Sequence, residues 1–285
     1  MLIGPAAEGD SRGERGFALL IVLWMLVLIG LIITHVTAVG RTEIRIATNL
    51  AANAAAEAAA DGAIYQAIFN LSDPRSDYRW KADGTTHSLH IGESQVTLRV
   101  EDEAARINPN LASAKLLEGL IQAIGNAPGN APELAASIAE WVGSAQLRRR
   151  PDELLAEYRA AGLDYAPPGS PLESIEELGR VRGMTPRLLD ELRPHLTLFG
   201  PATPDSGSAD PVVAAAIAFA TGGGVAGRLV APAAAADANG GVVTARIHAT
   251  AQGPGNAEVT RTAIARVGPF AAAGYSILAL ANGAE

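Results

Sequence analysis

Residues 16–40 constrain this chain more than any other stretch. From Phe17 to Ile33 the sequence runs Phe-Ala-Leu-Leu-Ile-Val-Leu-Trp-Met-Leu-Val-Leu-Ile-Gly-Leu-Ile-Ile, and no Asp, Glu, Lys or Arg follows until Arg41. As a helix rising ~1.5 Å per residue, about 24 residues reach roughly 36 Å, enough to cross a ~30 Å hydrocarbon layer with some tilt. A helix buried in a soluble protein rarely stays apolar on every face for so long, so the segment reads as a membrane span. A short polar leader ending in Arg15-Gly16 precedes it. The apolar run is too long for a cleaved secretory signal, and Thr34-His35-Val36-Thr37-Ala38 is a poor cleavage site. Arg12 and Arg15 nearly balance Arg41 and Arg45, so charge says little about orientation. The short leader and the large remainder favour an N-terminus inside and the bulk outside.

The helix is expected to continue past the membrane. Residues 41–71 hold no proline, the Ala-rich part at 51–63 has high helix propensity, and Ile64, Ile68 and Leu71 share one face suited to docking on a sheet. Ser72-Asp73-Pro74 ends it, giving one helix of about 55 residues. In the leader, Gly4, Pro5, Gly9 and Gly13 argue against helix. A hairpin follows, with strands at 88–91 and 95–100 joined through Gly92-Glu93-Ser94. Val96, Leu98 and Val100 alternate with Thr97 and Arg99, the period of a half-buried strand.

From 108 to 200 the pattern changes to short helices. Leu116, Leu117, Leu120, Ile121 and Ile124 make an apolar face, and Pro132 and Pro151 open two further helices with acids close behind. Ser174 with Glu177 forms a capping box, and Thr185-Pro186 an N-cap with proline at the first helical position. Residues 201–241 are rich in Pro, Gly, Ser and Ala, with one helix expected near 211–221. Strand alternation returns at 242–251 and 258–267, and 275–280 offers a last edge strand. The expectation is an α+β fold: a long N-terminal helix on a small antiparallel sheet, with an inserted α-helical subdomain.

The chemistry-bearing motifs are weak. With 30 acids against 22 Lys and Arg, the net charge of −8 gives no drive toward nucleic acid. The absence of cysteine removes disulfides and thiolate metal sites. Gly222-x-Gly224-x-x-Gly227 has the letters of a dinucleotide fingerprint but lacks its strand before and helix after. Asp83, His87 and His90 could frame a metal, against the simpler reading of solvated groups on a strand edge. Glu101, Asp102 and Glu103 offer oxygens to calcium, or form a solvated turn at a strand end. Arg148-Arg149-Arg150 reads as a solvated helix end or an anion or partner contact. The stretch Leu178-Gly179-Arg180-Val181-Arg182-Gly183-Met184-Thr185 resembles the hairpin of helix-hairpin-helix DNA binders, whose glycine amides hold a backbone phosphate, and Arg106-Ile107-Asn108-Pro109-Asn110-Leu111-Ala112-Ser113 resembles the opening of those modules. A structural helix pair reused for packing is the favoured alternative. Nothing in the sequence indicates catalysis, so the chain is read as a non-enzyme.

Arg15-Gly16 followed by Phe17-Ala18-Leu19-Leu20-Ile21-Val22-Leu23-Trp24 resembles a class III signal of the type IV pilin superfamily. Joined to residues 106–113, 171–194 and the strands of 246–267, it is similar to the type II secretion system minor pseudopilin K family. The resemblance implies cleavage after Gly16 by a prepilin peptidase and N-methylation of Phe17. Most superfamily members carry glutamate five residues after the cut; here that position is Ile21, and the K family likewise lacks the acid. On this reading 1–16 is the prepilin leader, 17–40 the transmembrane and assembly helix, and 41–107 the pseudopilin core. A SAM/helix-hairpin-helix-like subdomain at 108–200, a connector at 201–241 and sheet-completing strands at 242–285 follow. The family implies a tip subunit that initiates or caps a pseudopilus for export of folded proteins, with minor pseudopilins of the I and J types as partners. It also implies an inner-membrane anchor with a periplasmic domain. The competing reading is a membrane-anchored DNA-binding or uptake protein. No cofactor is expected; some relatives bind calcium, but Glu140-Trp141-Val142-Gly143-Ser144 leads here into Ala-Gln-Leu-Arg-Arg-Arg rather than an acid-rich loop, and no calcium ligand is assigned.

N-terminal sequencing of the mature protein is expected to begin at N-methyl-Phe17, and Gly16→Ala to reduce processing because the peptidase requires a small, flexible residue. An intact Met1 in the mature protein contradicts this.

Overall fold

Helix α1 (Ser11–Leu71) is 61 residues long and takes in Gly13 and Gly16, which the sequence alone places in a non-helical leader. The reason is cooperativity: once the apolar run forms helix, extending it back through a glycine costs only about 1 kcal/mol. The computed structural model describes residues 11–75, 77–125, 129–143, 151–207, 209–222, 242–268 and 274–283. The chain divides into two units, Met1–Ala55 and Ala56–Glu285.

In the first unit, Leu19–Thr37 has a mean hydropathy of 2.8 and none of it is buried. The Thr34 and Thr37 hydroxyls donate to the Gly30 and Ile33 carbonyls at 2.8 and 2.7 Å, so their polarity is satisfied inside the helix. The result is an apolar cylinder with the dimensions of a membrane anchor.

The second unit is built on a five-stranded antiparallel sheet, β1 (Asp83–Ile91), β2 (Ser94–Asp102), β3 (Val243–Gln252), β4 (Glu258–Val267) and β5 (Tyr275–Asn282), in that spatial order. The α+β expectation holds. Leu98 pairs with Ala249 and Val100 with Ile247, while Ile247 pairs with Ala263, so the buried positions of three strands lie on one face. Within this unit α1 buries Ala56, Ala60, Ala63, Ile64, Ala67 and Ile68 at helical spacing. A Cβ added at Gly62 would stand 3.7 Å from the Ile91 side chain. Strand β1 begins at Asp83, earlier than the periodicity suggests, through an irregular register between Asp83 and Thr86 where Gly84 takes φ +81°. The β1–β2 connection is tight, with Gly92 at φ +59°.

Between β2 and β3 lies the helical insert: α2 (Ala114–Ala123), α3 (Ala131–Trp141), α4 (Pro151–Ala160), α5 (Pro186–Leu192) and α6 (Pro211–Ala220), with short 3-10 turns. The caps read from sequence are present: Thr185 Oγ1 accepts from Leu188 N, and the Glu177 carboxylate accepts from the Ser174 backbone N–H at 3.0 Å. Ser174 and Glu177, however, open a 3-10 turn (Ile175–Arg180), so the hairpin before α5 is not a pair of α-helices. Helix α6 falls in the stretch expected to be a connector, yet Val213 and Ala216 join the same apolar core as Leu117, Leu120 and Leu192. Its approach to α2 is close: a Cβ on Gly119 would stand 2.8 Å from the Ala216 carbonyl oxygen and 2.9 Å from Phe219 Cδ1.

Gly119→Ala is expected to push α6 off α2 and lower stability by ~1–3 kcal/mol, as overpacking does. A fall in the urea midpoint of the insert's unfolding checks it; an unchanged midpoint contradicts the tight crossing.

Candidate functional site

The N-terminal part of α1 presents Phe17 at 67% and Ile21 at 53% exposure, one helical turn apart on the same face. Around Ile21 the exposed neighbours Leu20, Val22 and Leu23 are also apolar. Gly16 lies within the helix. No acid is available at position 21 to meet a buried cation.

The polar centre of the second unit is not apparent from the sequence. Glu103 is fully buried rather than part of a solvated turn. Its Oε1 accepts from Arg246 Nε of β3 at 2.5 Å and from Arg106 Nη1 at 3.1 Å, and its Oε2 accepts from the Thr197 hydroxyl. Glu101 accepts from Arg106 Nη2 at 2.5 Å and pairs with Arg99 Nε at 2.8 Å. Asp102 accepts from Ala104 N at 2.8 Å, capping the turn Glu103–Ala105. The Glu101 and Glu103 carboxylates are thus engaged by arginines and a hydroxyl of the protein, and Asp102 Oδ1 by a backbone amide. Burial pushes the Glu101 carboxyl up, but the charge and hydrogen bond of Arg106 and the charge of Arg99 outweigh it, holding it below its ordinary value. Asp102 is raised by burial, reinforced by the charges of Asp205 and Glu103.

The remaining candidates do not converge. His87 pairs across the ladder with Leu98 and His90 with Gln95, so the two imidazoles lie on opposite faces of β1. The His87 ring stacks on Trp80 with centroids 3.6 Å apart, and Asp83 accepts from Thr85 N at 3.0 Å. Among the described residues no group of three or more His, Cys, Asp or Glu is arranged to hold a metal. Gly224, Gly227, Arg148, Arg149 and Arg150, and the loop after Gly143, lie outside the described residues.

In the hairpin, Val181 N donates to Leu178 O and Met184 N to Val181 O, both at 3.0 Å, while Arg182 N donates to Tyr158 Oη at 3.3 Å. Gly183 takes φ +90° and lies over Leu134 of α3. The amides of Val181, Arg182 and Met184 are bonded within the protein and Gly183 packs over α3, so the hairpin serves packing.

A second clamp ties α1 to the sheet. Arg261 of β4 donates to both Asp61 oxygens at 2.9 and 3.0 Å and pairs with Glu57 at 3.0 Å. Neither this nor the Glu103 cluster has a local signal, because the partners stand 200 and 143 residues apart.

Asp210 caps α6 and holds His195 Nδ1 at 2.7 Å. Burial raises its carboxyl, but the Val213 amide and His195 outweigh burial and hold it below its ordinary value. A folded-state pKa below the unfolded value adds stability that is complete above the unfolded pKa and lost as pH falls through the folded one. Glu101 should therefore cost the domain stability on acidification below its ordinary 4.5 and Asp210 below its ordinary 3.8, with Asp102 shifted the other way and opposing them. Urea titrations from pH 6 to about 3 are expected to show a falling midpoint; a rise contradicts the assignment.

Residues 94–201, spanning β2 and most of the insert, match the family model described as Type II secretion system (T2SS), protein K. A chain of the crystal structure of the GspK-GspI-GspJ complex from the enterotoxigenic Escherichia coli Type 2 Secretion System is similar in fold, with a TM-score of 0.53 at 17% identity over 86% of this chain and 99% of that chain. No curated protein matches the chain. Over residues 94–201 the chain is thus similar to the type II secretion system protein K family, and the solved chain shares its fold.

Proposed function

We propose that this chain is the tip subunit of a pseudopilus, initiating or capping the filament that exports folded proteins across the outer membrane. The observation that carries the reading is Ile21. In a filament core, an acid five residues after the cut would offset the buried α-ammonium of a neighbouring subunit, and an unpaired charge there costs several kcal/mol. A subunit with isoleucine at that position makes no such contact with a neighbour above it, but it can be the subunit that has none. The helical insert supports the same position, because its bulk obstructs packing along a shaft.

On this reading a prepilin peptidase cleaves after Gly16 and methylates Phe17. The helix from Phe17 serves first as a single-pass anchor in the inner membrane, with the N-terminus cytoplasmic and the second unit periplasmic. The similar fold comes from a complex named for GspK, GspI and GspJ, which supports minor pseudopilins of the I and J types as partners. The chain acts by assembly rather than catalysis and needs no cofactor for it.

Immunogold labelling of a C-terminal epitope on the full chain, co-expressed with its I- and J-type partners and the major pseudopilin, is expected to mark one end of each filament. Label distributed along the shaft overturns the tip reading.

A further inference from the structure

Two lengths of chain connect the insert to the sheet, and they are stitched to each other. Ile107 N donates to His195 O and Thr197 N to Ile107 O, both at 2.9 Å. Asn108 Nδ2 donates to Leu198 O at 3.1 Å and Gly200 O at 2.9 Å, and Arg106 Nε donates to Pro194 O at 3.2 Å. A Cβ on Gly200 would stand 2.8 Å from the Glu103 carbonyl oxygen, so the outgoing chain sits directly on the incoming one. Stitching of this kind joins entry to exit, but by itself leaves the pair free to swing as one ribbon. What reaches the sheet is the buried carboxylate. Glu103 is held by Arg246 from β3, by Thr197 from the outgoing chain and by Arg106, which also bridges to Glu101 of β2.

We propose that Glu103 is a positioning residue that locks the neck, fixing the bearing of the helical insert on the sheet so that the neck is a rigid coupling rather than a hinge. A buried carboxylate with directional partners on three segments tolerates one arrangement. Glu103 follows β2 directly and is paired with Arg246 on the sheet, so rotating the insert would pull the Thr197 hydroxyl off a carboxylate that stays buried. The consequence for assembly rests on the tip reading: a locked insert cannot swing aside to admit a subunit above. The coupling itself does not depend on that reading.

The chain has no cysteine, so spin labels can be placed at will. Glu93→Cys in the β1–β2 turn and Lys115→Cys on α2 are exposed positions on the sheet and the insert. In the full-length chain in nanodiscs, pulsed electron paramagnetic resonance between these labels is expected to give a single narrow distance. Glu103→Gln is expected to lose that peak to a broad distribution while circular dichroism stays unchanged. Should Glu103→Gln fail to fold, Thr197→Val, which puts a methyl in place of the hydroxyl that Glu103 and the Phe199 amide share, decides between lock and hinge on the same readout. A narrow, unshifted distance in either folded variant overturns the proposal. A broadened distance with normal tip labelling upholds the coupling and overturns only its link to assembly.

Discussion

Small side chains on two buried faces set the terms for the second unit. The buried face of α1 there is largely alanine, at Ala56, Ala59, Ala60, Ala63 and Ala67, and so is much of the sheet, at Ala245, Ala249, Ala251, Ala263 and Ala265. Each alanine removes little apolar area from water, so such a core depends on close approach rather than on large interlocking side chains. Directional polar clamps then have more to do. Arg261 on Asp61 and Glu57 holds the helix to β4, and the Glu103 cluster holds the insert to β2 and β3. Both use guanidinium groups, whose planar donors fix orientation as well as distance.

The two units answer to different solvents. From Leu19 to Thr37 every described side chain is exposed, and even the threonines bond back to their own helix. The same helix becomes strictly one-sided from Ala56 onward, with Tyr65 and Phe69 outward and Ile64 and Ile68 inward. An all-round apolar pattern giving way to an amphipathic one is what a stem needs if it is to rest in lipid and also support a water-soluble domain.

Much of the fold is legible in the sequence because its determinants are local. The alternation at Val96, Leu98 and Val100, the caps at Thr185 and Ser174, and the apolar face of α2 each declare themselves within a few residues. Helix α6 is visible as a helix but not as a core element, because its partner Gly119 is identifiable only once the backbone crossing is known. Glu103 looks, in the sequence, like one of three solvated acids, since nothing near it announces Arg246 or Thr197. Gly16, Phe17 and Ile21, near the start of α1, are the reverse case. Their meaning comes from order along the chain, and the fold adds only that they lie on one helix.

The stitched neck also bears on how such a chain can fold at all. Strand β2 must pair with β3 across the whole insert, Arg99 opposite His248, and contacts so distant in sequence are slow to form from an open chain. The insert's helices are short and locally specified, so they can collapse before the sheet does. Once they have, the bond between Ile107 and Thr197 brings the insert's two ends together and shortens the search that β2 and β3 face. An appendage that first looks like a burden on the sheet thereby becomes the step that makes its longest-range pairing accessible.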